Sequence, residues 1–247
     1  MQDTASSSQG AAPARIDWSG VDLVVFDVDG TLYDQRRLRL AMLRRLLGHT
    51  LRTRSLQTLR VLRSFRRVRE QLGEEAGVNF LVEQYSRTAR LHGCAPEQVE
   101  RLATDWMETR PLDLLAAARY PHVDAVFAGL RAAGKQVAVF SDYPAVAKLQ
   151  ALGLAAQPVV SACDAAVARL KPDPTGLLAI LRATGVAPSR TLMVGDRFDR
   201  DAAVADRAGV RALIRSREPH PTVPTFRRYD DPVFQPLLAS SPVPAAA

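Results

Sequence analysis

Residues 23–32 read Leu-Val-Val-Phe-Asp-Val-Asp-Gly-Thr-Leu, an apolar run that stops at two carboxylates two positions apart and a Gly-Thr turn. The run is rich in Val and Phe, too short for a typical helix and closed by glycine. It therefore reads as a strand buried on both faces of a parallel sheet. Asp27 and Asp29 then stand at its carboxyl end, the edge of an open α/β sheet where ligands bind. Two carboxylates held close repel each other, so both stay ionised only beside a cation, unless one is protonated as a general acid. Asp and Gly are also ordinary turn residues. The rest of the chain separates a plain turn from a reaction centre.

Downstream, residues 35–120 carry helical periodicity throughout and no convincing strand, the pattern of an all-helical insert. Helices and strands alternate from there on. Helical patterns cover 123–133, 145–152, 174–183 and 201–208, each closed by glycine at 134, 153, 185 and 209. Short apolar strands fall at 136–140, 158–161, 192–194 and 211–214, the last of the chain. Five strands joined through helices predict an α/β fold, a Rossmann-like parallel sheet core with helices on both faces plus a small all-helical domain. The expected division is a flexible N-terminal tail over 1–17, the α/β core over 18–34 and 121–216, the helical part over 35–120, and a Pro-rich C-terminal tail over 217–247, wrapped on the surface or disordered.

With 247 residues and 47% apolar content, the chain can bury one good core and a smaller second one. Nowhere do apolar residues run for the roughly 18 positions a membrane span requires. The Ser/Ala/Gln-rich start lacks the basic-then-apolar order of a secretory signal, so the cytoplasm is the expected compartment. Two cysteines, Cys94 and Cys163, exclude a disulfide framework and a thiolate zinc site. The net charge of +7 is regional: residues 35–69 hold 12 Arg and no Asp or Glu, and the remainder is net acidic. Leu40, Leu43, Leu47 and Leu51, then Val61, Phe65, Val68 and Leu72, recur at spacings of three and four. These are the stripes of amphipathic helices with arginine-covered outer faces, and they make an anionic surface a candidate partner for 35–69.

Three further strand ends carry polar residues of particular kinds: Ser141-Asp142 after Val-Ala-Val-Phe, Lys171 opening Lys-Pro-Asp-Pro, and Asp196 beginning Asp-Arg-Phe-Asp-Arg-Asp. In a parallel sheet all these ends face one edge. Together with Asp-Val-Asp-Gly-Thr-Leu they resemble the four ordered motifs of the haloacid dehalogenase-like hydrolases, over roughly residues 21–216, and the helical insert is similar to the cap of the phosphoglycolate phosphatase-like branch. The resemblance implies a Mg²⁺-dependent phosphatase acting on a small phosphorylated metabolite. Asp27 would be the nucleophile and Asp29 the general acid and base. Asp27, the Asp29 carbonyl and Asp196 would hold the metal, and Ser141 and Lys171 the phosphoryl oxygens. Asp201, or alternatively Asp199, would orient Lys171 or a metal-bound water. Thr31, Asp142 and Arg36 would touch the substrate or support the residues that do. Arg36, Arg37 and Arg39 stand where the chain enters the cap, so one of them could reach a substrate carboxylate or second phosphate.

The chemistry agrees with this assignment. A phosphate monoester is a dianion, so a carboxylate reaches phosphorus only if a cation screens the approach and donors hold the oxygens. Mg²⁺ is hard and keeps several waters, so a few carboxylates suffice to hold it. Asp29 separates branches of the family, since the true dehalogenases lack a carboxylate there. A halide leaves without a proton, whereas an alkoxide needs one. Sugar phosphomutases keep both aspartates and remain the alternative, and a docking protein using the basic helices is a second.

Overall fold

A computed structural model describes residues 15–75 and 79–239, so most of the expected N-terminal tail lies outside the described residues. The Val/Phe run forms β1 (Leu23–Phe26), buried at every position. The helical stretch follows as α1 (Gln35–Thr53), α2 (Gln57–Glu75), α3 (Phe80–His92), α4 (Pro96–Ala103), a π turn at Thr104–Thr109 and α5 (Leu112–Ala118). Then α6 (Val123–Ala132), β2 (Gln136–Ser141), α7 (Val146–Leu152), β3 (Val159–Ser161), α8 (Thr175–Thr184), β4 (Thr191–Gly195), α9 (Ala203–Arg207) and β5 (Arg211–Arg215) alternate. Glycines in the left-handed conformation end α7 and α8 at Gly153 and Gly185, because a residue without Cβ turns the chain there at least cost.

All strand pairs are parallel and, with a sixth strand β6 (Thr225–Phe226), the order is β3-β2-β1-β4-β5-β6, which puts β1 at the centre and its carboxyl end among those of its neighbours. The α/β class expected from the sequence is the one observed. Alternate residues of β1 face opposite cores. Val24 and Phe26 pack with Phe127 of α6, and Leu23 and Val25 with Leu177 and Ile180 of α8. The helical stretch has its own small core of Val61, Phe65, Ala89, Val99 and Ala103. Among the described residues no helix is long and apolar enough to cross a membrane.

Two expectations fail here. Residues 217–239 are not a surface tail. They add a sixth strand, β6 (Thr225–Phe226), beside β5, and a short helix, α10 (Gln235–Leu238). Phe226, Tyr229, Val233, Phe234 and Leu237 are buried in the main core. A large apolar side chain stabilises by about 1.5–3 kcal/mol when buried, which outweighs the proline content as a guide. The Tyr229 hydroxyl donates to the carbonyl of Thr31 at 3.0 Å, tying this segment to the turn after β1.

The second correction concerns α1. Its buried side chains are Leu38, Met42 and Leu46, whereas Leu40, Leu43, Leu47 and Leu51 are 43–79% exposed. The stripe on α2 is buried as expected. The helix face that meets the sheet core in α1 is thus the one opposite to the longer leucine run.

Candidate active site

The end of β1 builds the floor of the site. The backbone N–H of Asp27 still pairs with Val194 of β4 at 2.8 Å, so its carboxylate is held to the sheet before the chain turns away. Thr31, four residues on, donates to Asp27 Oδ2 at 3.0 Å. Lys171, fully buried, donates to Asp27 Oδ1 at 2.6 Å, to Asp201 Oδ1 at 2.7 Å and to the Phe140 carbonyl at 3.2 Å. The other oxygen of Asp201 accepts from the backbone N–H groups of Asp196 and Arg197, at 3.1 and 3.0 Å, and so shapes the loop after β4. A π turn at Phe198–Ala202 brings Asp201 inward. Asp199 points out to Arg197 and takes no part in this network.

Asp27, Asp196 and Asp201 each offer an oxygen within 4.8 Å of the others. Asp196 Oδ1 is buried without a hydrogen-bond partner. A Cβ on Gly30 would fall 2.2 Å from Asp196 Oδ2, and Gly30 sits at φ +99°, so glycine is required there on both counts. An unpartnered buried oxygen among three carboxylates makes an all-oxygen donor set that fits a hard divalent cation such as Mg²⁺. The electrostatics agree. Burial pushes Asp27 well above the ordinary carboxylate range, with Lys171 only partly opposing it and Asp201, Asp196 and Asp29 adding to it. Burial and then Asp201 push Asp196 up to about 7. Lys171 remains charged because Asp201 and Asp27 outweigh the cost of its burial.

Asp29 differs from its expected resting state. Both its oxygens accept from Lys148 Nζ at 2.7 Å, and the Tyr33 hydroxyl also donates to it. Burial would raise its pKa, but Lys148 and the Tyr33 hydrogen bond win and hold it below the usual range. Asp29 thus rests ionised, with both oxygens accepting from Lys148. Its carboxylate is outside the cluster of Asp27, Asp196 and Asp201, and the ligand expected from Asp29 is its backbone carbonyl.

Asp27, Asp29, Asp142, Lys148, Lys171, Asp196 and Asp201 all line one cavity of about 180 Å³, closed on its far side by α1, α2, the Thr104–Thr109 turn and α5. Asp142 Oδ1 accepts from the Lys171 backbone N–H at 2.9 Å. Ser141 is fully buried with its Oγ accepting from the Tyr143 N–H at 3.2 Å, and it does not line the cavity. Its expected contact with a phosphoryl group is not open in this conformation. Arg36 lies outside the cavity too, while Arg39 and Arg66 line it.

Sequence reasoning missed Lys148, although a signal existed. The chain uses lysine three times against 30 arginines, and all three lysines make specific long-range contacts: Lys135 caps the Trp18 and Val21 carbonyls, and the other two hold the aspartates. Arg69 was missed as well. It is buried, stacks 3.9 Å from the Tyr143 ring centre and donates to Gln84 and to the Asp142 carbonyl. With Glu70 bonded to Arg197 and Arg200, it fastens α2 to the loops of the sheet edge.

A family model described as haloacid dehalogenase-like hydrolase matches residues 21–209. The chain is 32% identical over 220 residues to a phosphoglycolate phosphatase of Rhodospirillum rubrum, covering 84% of this chain and 86% of that one. Among solved structures, a 2-haloacid dehalogenase from Pseudomonas syringae aligns with TM-score 0.59 at 22% identity, over 84% of this chain and 94% of that one. The hydrolase YfnB of Bacillus subtilis, bound to magnesium, aligns with TM-score 0.58 at 14% identity, over 84% and 95%.

Proposed function

The chain belongs to the haloacid dehalogenase-like hydrolases, and we propose that it is a Mg²⁺-dependent phosphatase that transfers the phosphoryl group of a small phosphorylated metabolite to Asp27 and then to water. The observation that carries this reading is the Asp29–Lys148 pair in the same cavity as Asp27. A halide leaving group has no use for such a pair, whereas an alkoxide must take a proton.

Mg²⁺, held by Asp27 and Asp196 with Asp201 beside them, would screen the approach of a carboxylate to a phosphate dianion. Lys171 and Thr31 orient the Asp27 carboxylate, and Lys171 keeps a permanent positive charge beside the incoming phosphate. Asp27 attacks phosphorus and the bond from phosphorus to the leaving oxygen breaks. The proton held by the Asp29–Lys148 pair passes through Asp29 to that oxygen. A water then attacks phosphorus, its proton returns to Asp29, and inorganic phosphate leaves with Asp27 restored. The helices over the cavity exclude other water while the phosphoryl group is on Asp27.

The test is phosphate release from an aryl phosphate and a panel of phosphorylated metabolites, with and without Mg²⁺, for wild type and Asp27→Asn. Metal-dependent turnover that vanishes in the variant is expected. Equal turnover by the two proteins would remove Asp27 from the chemistry.

A further inference from the structure

A second cleft, of about 430 Å³, opens beside Asp196, between the start of α1 and the segment that follows β5. Arg36 and Arg39 of α1, Arg215 at the end of β5, and Arg217 and Arg227 of the C-terminal segment line it. Its acidic residues are Asp34, Asp196 and Glu218. Asp34 is occupied in capping α1 through the N–H groups of Arg36 and Arg37, and Asp196 belongs to the carboxylate cluster. Only Glu218 is left to balance five guanidinium groups.

Elsewhere the chain pairs many of its arginines: Arg45 with Asp113, Arg110 with Asp105, Arg119 with Asp124, Arg228 with Asp230. Among the described residues, none of the five cleft arginines is in an ion pair. The Arg215 guanidinium lies 3.7 Å from the Tyr120 ring centre, and its Nε is buried without a partner. Five like charges around one concavity repel each other unless an anion sits between them. Guanidinium groups present paired donors that match phosphate oxygens. A carboxylate has two oxygens and cannot answer five such groups, whereas a phosphate dianion offers three or four.

We propose that this cleft binds a phosphate dianion beside the catalytic cavity, with which it shares Gln35, Arg39 and Asp196. The dianion is either the distal phosphate of a bisphosphorylated substrate, a version that rests on the phosphatase reading, or free phosphate, which does not.

The experiment uses the Arg217→Gln/Arg227→Gln double variant, since both side chains are exposed and neither belongs to the catalytic machinery. Calorimetric titration with inorganic phosphate is expected to show two sites per chain in the wild type. In the variant one of them should weaken by about tenfold or more, which is about 1.4 kcal/mol. Phosphate binding that the variant leaves unchanged at every site, whether one or two, overturns the proposal. Given that loss, kinetics identify the source of the phosphate. A tenfold higher KM for an alkanediol bisphosphate with an unchanged KM for aryl phosphate marks the distal group of a substrate. Unchanged KM for both marks free phosphate. Should the wild type hydrolyse neither compound, the phosphatase reading fails while the titration still decides the cleft.

Discussion

On one side of Asp196, four other aspartates crowd the sheet edge, and the Lys171 and Lys148 side chains reach three of them through bonds of 2.6–2.7 Å. On the other side, five arginines share a cleft and none has a carboxylate partner among the described residues. Both regions concentrate like charge, but they treat it differently. The buried edge fixes each lysine on named acceptors and leaves one deficit, at the unpartnered oxygen of Asp196. The cleft leaves its charges to solvent and to whatever anion enters. A buried charge must be neutralised by the fold itself, whereas an exposed one can wait for a ligand. The contrast can be tested by removing compensation at the edge and looking for effects that the cleft would not show.

The largest effect is expected from Lys171→Met. It strips Asp27 and Asp201 of the cation they share, and breaking a buried pair of this kind costs about 3–5 kcal/mol. In a chain of this size each kcal/mol is about 2–4 °C of Tm, so thermal unfolding should show a drop of roughly 10 °C, together with loss of phosphate release by about a thousandfold or more. A Tm within a degree or two of wild type would mean that the carboxylates are compensated in some other way.

Metal removal should reveal the remaining deficit as a pH dependence. Burial and Asp201 raise Asp196 from 3.8 to about 7, so the folded protein binds a proton more tightly than the unfolded chain between those values. Stability from this group is present at low pH and lost as pH rises through about 7, because the unfolded state is the better acid. Thermal melts in chelator are expected to give a higher Tm at pH 5.5 than at pH 8. Mg²⁺ takes the place of the proton, so it should raise Tm at pH 8 more than at pH 5.5. Equal Mg²⁺ effects at both pH values would separate the metal from Asp196.

Asp29 carries the opposite sign. Burial raises its pKa and Lys148 is the strongest group holding it down, so Lys148→Met leaves burial opposed only by the Tyr33 hydrogen bond and the more distant Lys171, and the carboxylate titrates higher. The step in which Asp29 takes a proton from water needs it ionised. The acid limb of the kcat–pH profile should therefore move to higher pH in the variant. An acid limb that stays in place would show that a different group controls water activation.

The strand was legible from its Val/Phe run, its two carboxylates became so once Ser141, Lys171 and Asp196 stood at other strand ends, and the glycines after α7 and α8 marked real helix ends. The choice between Asp199 and Asp201 was not legible, since it turns on a π turn that rotates one side chain inward and the other out. Lys148 was hidden because its partner is a hundred-odd positions away, and only the scarcity of lysine pointed to it. The C-terminal segment was masked by its prolines, although Phe226, Tyr229, Phe234 and Leu237 already suggested a core.

α1 shows most plainly what a pattern can hide, and it supplies the smallest effect. Leu38, Met42 and Leu46 form one stripe and Leu40, Leu43, Leu47 and Leu51 another, on opposite faces of a helix nearly saturated with apolar residues and arginine. Periodicity favours the longer stripe, yet the shorter one is buried, and Leu38, Met42 and Leu46 belong to the core cluster that also holds Trp106 and Leu115. Removing a side chain should therefore cost stability only on that face. Leu46→Ala is expected to lower unfolding free energy by about 2 kcal/mol or more in urea titration. Leu51→Gln, at a position 79% exposed, should stay within about 0.5 kcal/mol of wild type. A comparable loss from Leu51→Gln would place the outer leucines against a surface that forms in solution. The arginines around them would then have to be counted with the charges that wait for a partner.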